Sequence, residues 1–167
     1  MNKVALLIGG NQGDRHTLIE QATVLIQERI GTVVLASNVY ETEPWGKFDE
    51  AEQKPANFLN KALVVDTLLS PHDVLYEAQA IELSLGRVRS KGGNTSDRVY
   101  SSRPMDIDLI FFNDEVIDTP ELTIPHPRMH LRRFVLEPLA EIIPEYQHPI
   151  LRLSVAELLS NLPPVYN

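Results

Sequence analysis

Two aspartates one residue apart, Asp106 and Asp108, head an apolar run of Ile107, Leu109, Ile110, Phe111 and Phe112. In a strand, alternate side chains share a face. The two carboxylates then point the same way, their β-carbons roughly 7 Å apart, while Ile107, Leu109 and Phe111 share the other face. Two anionic groups held together beside a buried strand repel unless a cation or a hydrogen-bond donor compensates. A small set of oxygen ligands suits magnesium, whose shell is completed by water and substrate phosphates, so the pair points to a phosphorylated substrate. An Asp-x-Asp also describes a strand end whose carboxylates simply face solvent, the ordinary place for aspartate. The surroundings decide.

Those surroundings are basic in an acidic chain. The formal charge of -8 argues against general affinity for nucleic acid or an anionic membrane. Yet eight of the 15 Lys and Arg residues lie between 87 and 133. Arg87, Arg89, Lys91, Arg98 and Arg103 stand against a single acid, Asp97, in a stretch with Gly92-Gly93 that reads as a loop running into the aspartate strand. Cations gathered beside paired carboxylates are what a polyanion needs. Trp45, in a long polar loop opening at Glu43-Pro44-Trp45-Gly46-Lys47, is either a local hydrophobic anchor or a ligand-stacking group. His126 and His130 have the spacing of a helical metal pair, but Pro127 opposes one helix carrying both. The turn Gly9-Gly10-Asn11-Gln12-Gly13-Asp14 could cradle phosphate or be purely structural; it lacks the lysine of a P-loop and the spacing of the dinucleotide fingerprint.

The elements that position these groups follow from periodicity. Val4–Ile8, Val33–Tyr40 and Phe58–Val65 read as strands. A helix spans Leu18 to Ile30 and is ended by Gly31; a second starts at Ser70-Pro71-His72-Asp73 and ends at Gly86. Ser154 with Glu157 caps a short amphipathic helix near the end. The order β, α, β, β, α, β predicts an α+β, ferredoxin-like sandwich: a mainly antiparallel sheet with helices packed on one face and the active site on the other. The 167 residues suffice for a single domain spanning 1–167. With no cysteine there is no disulfide framework or thiolate zinc site, and the Val4–Ile8 run is too short for a signal-peptide core or membrane span. The expectation is a cytoplasmic monomer.

Taken together, the Gly-Gly-Asn turn, Tyr40-Glu41-Thr42-Glu43-Pro44-Trp45-Gly46, Phe58-Leu59-Asn60, Ile81-Glu82-Leu83, Gly86-Arg87-Val88-Arg89, Arg103 with Asp106-Ile107-Asp108, and Pro125-His126 resemble, in order and spacing, the 6-hydroxymethyl-7,8-dihydropterin pyrophosphokinases of folate synthesis. The resemblance implies transfer of diphosphate from ATP to the pterin hydroxymethyl group, giving AMP and the pterin diphosphate. It implies two magnesium ions held by Asp106 and Asp108, which with Arg87 and Arg103 form the catalytic set. Glu82, Arg87, Arg89, Arg103, His126 and Arg132 would bind ATP, the guanidinium forks matching phosphate geometry. Thr42, Pro44, Trp45, Phe58, Asn60 and Phe134 would hold the pterin, with the two phenylalanines sandwiching the bicycle and Asn60 reading its amide edge. No general base is evident, and the loops at 43–56 and 90–102 are expected to move on binding. Two other classes compete. An RNA-binding module would use the same kind of sheet, but its aromatic pattern is absent and the aspartates would repel a phosphate backbone. A regulatory nucleotide-binding domain keeps the arginines and leaves the aspartates and Asn60 without a purpose.

Overall fold

The computed structural model describes residues 1–43, 56–86 and 104–164. Pro44, Trp45, Arg87, Arg89 and Arg103, and the two loops expected to move, apart from residues 43 and 56 at the ends of the first, lie outside the described residues. In chain order the elements are β1 (Asn2–Gly10), α1 (Arg15–Arg29), β2 (Thr32–Ala36), β3 (Tyr40–Thr42), β4 (Phe58–Thr67), α2 (Pro71–Ser84) and β5 (Asp106–Phe112). There follow a small ribbon of β6 (Ile117–Asp118) and β7 (Thr123–Ile124), a 3-10 turn at Met129–Leu131, then α3 (Arg133–Ile142) and α4 (Val155–Ser160).

β1 is almost wholly apolar because it runs through the middle of the sheet with both faces covered. The order is β2-β4-β1-β5, with β3 also on β4 and every pairing antiparallel. Each helix-containing crossover therefore skips one strand, the α+β ferredoxin-like arrangement that the element order predicts. Capping fixes where the helices begin. Asp14 accepts from the Thr17 N–H to start α1, and Ser70 accepts from the Asp73 N–H to start α2, with Pro71 in the first turn. Gly86, at φ +102°, turns the chain out of α2 through the left-handed region.

α1 and α2 press Ile19, Ala22, Ile26, Val74, Ala78 and Ile81 onto Leu6, Ile8, Leu63, Ile107 and Leu109. The opposite face is only partly free of helix. Val135, Leu136 and Leu139 of α3, with Val155 and Leu158 of α4, cover Ala5, Leu7, Ala62, Ile110 and Phe111. The periodicity does not reveal α3, because Pro138 inside it reads as a breaker. The ring forfeits the bond that residue 138 would give the Phe134 carbonyl, and burial of the three neighbouring side chains offsets that loss.

Two further expectations are corrected. Phe111 does not share a face with Ile107 and Leu109: an irregularity opposite Ala5 and Leu6 lets Ile110 and Phe111 both turn toward α3 and α4, where Phe111 meets Tyr146 at 4.3 Å between ring centroids. The strand expected over 33–40 is broken at Ser37. There the Ser37 N–H donates to the Ala62 carbonyl at 2.9 Å, but the hydroxyl, not the carbonyl, accepts the Ala62 N–H at 2.9 Å. A side chain has taken a rung of the ladder, and regular pairing resumes only at Tyr40.

Candidate active site

The ladder aligns the site. Gly9 of β1 lies opposite Asn60 of β4 on one side and Asp106 of β5 on the other; two residues along, Leu7 lies between Ala62 and Asp108. The alternation that sends Ile107 and Leu109 into the core under α1 and α2 sends Asp106 and Asp108 to the face that carries Asn60. Gly9 is required there. A β-carbon on it would stand 2.0 Å from the Leu59 carbonyl oxygen and 2.9 Å from Asn60 Oδ1. Asn60 is buried, and its Nδ2 donates to Thr42 Oγ1 at 3.1 Å, which orients the amide. Phe58 begins β4 opposite Thr42.

Glu82 serves the carboxylate strand from below. It is 4% exposed, and its Oε2 accepts the Ile107 N–H at 2.8 Å. Among the described strands β5 stands at the end of the sheet, and this bond ties the residue between the two aspartates to the last turn of α2. Fully buried Met105 fixes the approach to the strand.

The segment after β7 closes the other side. The His126 N–H donates to the Ile110 carbonyl at 3.0 Å, holding this segment along β5. His126 Nδ1 accepts the Arg128 N–H at 3.3 Å, so the neutral ring carries its proton on Nε2. Burial pushes the His126 pKa down, Arg132 and Arg128 push the same way, and Asp106 opposes them. Arg132 is likewise lowered, first by burial; Asp108 and Asp106 support its charge and Arg128 opposes it. His126, Arg128, Arg132, Asp106 and Asp108 thus share one electrostatic neighbourhood. The Arg132 guanidinium carbon lies 5.6 Å from the Phe134 ring centroid, stacking a cation on an aromatic at the start of α3.

A pH dependence follows from His126. Its folded value is below the 6.5 of an unfolded chain, so the neutral ring is favoured on folding. The contribution is complete above pH 6.5, declines as pH falls through that value, and levels off below the folded value. Thermal melts between about pH 7.5 and pH 5.5 should show a shallower fall in Tm for His126→Gln than for the wild type. A residual fall remains from His148, which burial also lowers. Superimposable wild-type and variant curves would contradict this.

Of the residues singled out from sequence, Thr42, Phe58 and Asn60 meet at the β3–β4 end; Asp106, Asp108, His126, Arg132 and Phe134 gather beside it; Glu82 is buried beneath. His126 and His130 do not share one helix, since His130 falls in the separate 3-10 turn, and no cluster of three or more metal-ligating side chains occurs among the described residues. Sequence reasoning missed Asn11, Arg15 and Glu141. Their partners are Ala56, Asn57, Glu41, Asn38 and Tyr40, 26 to 103 residues away, and no local spacing announces them.

A family model described as 7,8-dihydro-6-hydroxymethylpterin-pyrophosphokinase matches residues 5–144. The chain belongs to this family. It is an ATP-dependent pyrophosphokinase, a diphosphotransferase of folate biosynthesis with small-molecule substrates. Among its relatives, the 2-amino-4-hydroxy-6-hydroxymethyldihydropteridine pyrophosphokinase of Porphyromonas gingivalis is 40% identical over 147 residues, 87% of this chain and 93% of the relative. The pyrophosphokinase of the same name from Bacillus subtilis is 42% identical over 144 residues, 85% of this chain and 79% of the relative. In fold, the pyrophosphokinase resembles the crystal structure of Plasmodium falciparum HPPK-DHPS with pteroate: the TM-score is 0.73 at 20% identity, over 95% of this chain and 42% of that one. Among the described residues no helix is long and apolar enough to cross a membrane.

Proposed function

We propose that the enzyme transfers the β,γ-diphosphate of ATP to the hydroxymethyl group of 6-hydroxymethyl-7,8-dihydropterin, releasing AMP, with the reaction centred on the row Asn60, Gly9 and Asp106. The observation that carries this is the adjacency itself: an oriented amide with an aromatic neighbour at one end, and paired carboxylates with a half-buried arginine and a neutral histidine at the other. A flat heterocycle and a polyphosphate need opposite chemistry, and here one sheet face offers both.

Two carboxylates on alternate positions, without further protein ligands among the described residues, fit magnesium, which keeps waters and substrate phosphates in its shell. On this reading Asp106 and Asp108 hold two magnesium ions, which when bound neutralise the triphosphate and polarise the transferring group. The chain's own groups supply orientation. Arg132, held by the Phe134 ring and the two aspartates, stabilises charge on phosphate oxygens. His126 donates from Nε2 as a neutral ring, and Arg87, Arg89 and Arg103 complete the anion contacts, with Arg87 and Arg103 belonging to the catalytic set alongside the two aspartates. Glu82 aids ATP binding by fixing the strand that bears the carboxylates. The pterin lies between Phe58 and Phe134, its amide edge on Asn60, with Thr42, Pro44 and Trp45 lining the remainder. Catalysis is then positioning and charge neutralisation rather than proton abstraction by a dedicated base. We place this activity in a cytoplasmic, single-domain monomer.

The test is a magnesium-dependent assay with ATP and 6-hydroxymethyl-7,8-dihydropterin in which nucleotide products are separated. AMP in equal amount to pterin diphosphate is expected, and AMP release should require the pterin. ADP would mean single-phosphoryl transfer and refute the proposal.

A further inference from the structure

Residues 56 and 57, immediately before β4, are held by the turn that follows β1. Buried Asn11 donates from Nδ2 to the Ala56 carbonyl at 3.1 Å, and Arg15 donates from Nη1 to the Asn57 carbonyl at 2.9 Å. The same Arg15 nitrogen also donates to Glu41 Oε1 at 3.1 Å. Glu41 is the middle residue of β3, a strand of three residues whose one ladder among the described residues is with Phe58–Asn60. One arginine nitrogen therefore joins the middle of β3 to the residue that leads into β4, just outside a very short pairing. Tyr40 is held on the opposite face by Glu141 of α3, its hydroxyl donating at 2.7 Å.

So short a ladder does not specify its own register well, and a slip of one residue would present Glu41 where Thr42 now stands. Thr42 is the acceptor that orients the Asn60 amide. We infer that Arg15 is a positioning residue for the heterocycle end of the site: by bridging Glu41 and Asn57 it sets the β3–β4 register, and so the direction in which Asn60 presents its amide. This rests on the reading of Asn60 as the pterin contact. Arg15 does not touch the carboxylate end, so its effect is confined to one substrate. The pair is solvent-accessible, with side-chain exposures of 29% for Arg15 and 52% for Glu41, and adds little to global stability.

The experiment compares Arg15→Ala, Arg15→Lys and Glu41→Gln with wild type by steady-state kinetics in each substrate, thermal melting, and NMR of the Asn60 side-chain amide. Arg15→Ala should raise the pterin KM about tenfold, with the ATP KM within about twofold and Tm within about 4 °C of wild type. The Asn60 amide signals should shift. Arg15→Lys, which keeps charge and donors, should recover most of the pterin KM, and Glu41→Gln should fall between. An unchanged pterin KM, or equal rises in both KM values, would overturn the inference. If even the wild type made no pterin diphosphate, the reading of Asn60 as the pterin contact would fall instead. The clamp would still be judged, supported by shifted Asn60 signals in Arg15→Ala and refuted by unshifted ones.

Discussion

Asp108→Ala should lose at least about a thousandfold in kcat while melting no lower than the wild type. The two halves of that expectation have separate causes. Asp108 lies on the β5 face away from α1 and α2, opposite Leu7 in the ladder, and is half-buried beside Arg132, whose charge it supports. Nothing in the core below depends on it, because Ile107 and Leu109 do that packing. Its neighbour two residues along is another carboxylate, so removing one relieves like-charge repulsion, and that relief offsets the support withdrawn from the Arg132 charge. On the proposed reading turnover depends on the pair in the opposite sense, since a polyphosphate would not approach this face without the neutralisation the carboxylates recruit. Asp106→Ala should behave alike, and the double variant should be little worse than either single one, as for groups that act as a unit. Steady-state rates with calorimetric titration of Mg-ATP decide it. Turnover in Asp108→Ala within tenfold of wild type would remove the aspartate pair from the mechanism.

The features legible in the sequence were those that depend on local period. Asp106 and Asp108 share a face because strands alternate, and Asn60 lies two residues from Phe58 for the same reason. The caps at Asp14, Ser70 and Ser154 are short-range chemistry and stand where composition puts them. What was not legible depends on partners remote in the chain. Phe111 changes face at an irregularity set by pairing with β1, and Ser37 interrupts a β-rich run only because the Ala62 N–H is there to donate to its hydroxyl oxygen as a rung. α3 survives an internal proline because the sheet offers its apolar side a place to bury. The turn after β1 is the sharpest case. Its residues leave a phosphate cradle and a purely structural turn both open, and the partners that Asn11 and Arg15 donate to, Ala56, Asn57 and Glu41, are remote in the chain.

Glu82 should separate geometry from charge. Its carboxyl group is buried and accepts the N–H of Ile107, the residue between the two aspartates. Glu82→Ala leaves that donor without this acceptor and opens space under the strand, costing about 3 kcal/mol, or a fall in Tm of about 10 °C. Because each aspartate is one residue from the lost anchor, kcat/KM for ATP should drop about a hundredfold, the usual scale for misplacing reacting groups by an ångström. Glu82→Gln retains a carbonyl oxygen of the same reach and should recover most of the Tm and bring kcat/KM to within about tenfold of wild type. The contrast is what matters. If glutamine restored stability but not turnover, Glu82 would be needed for its negative charge near the nucleotide. If it restored both, the residue would act through Ile107, and the position of the carboxylate strand would be the quantity that the last turn of α2 controls.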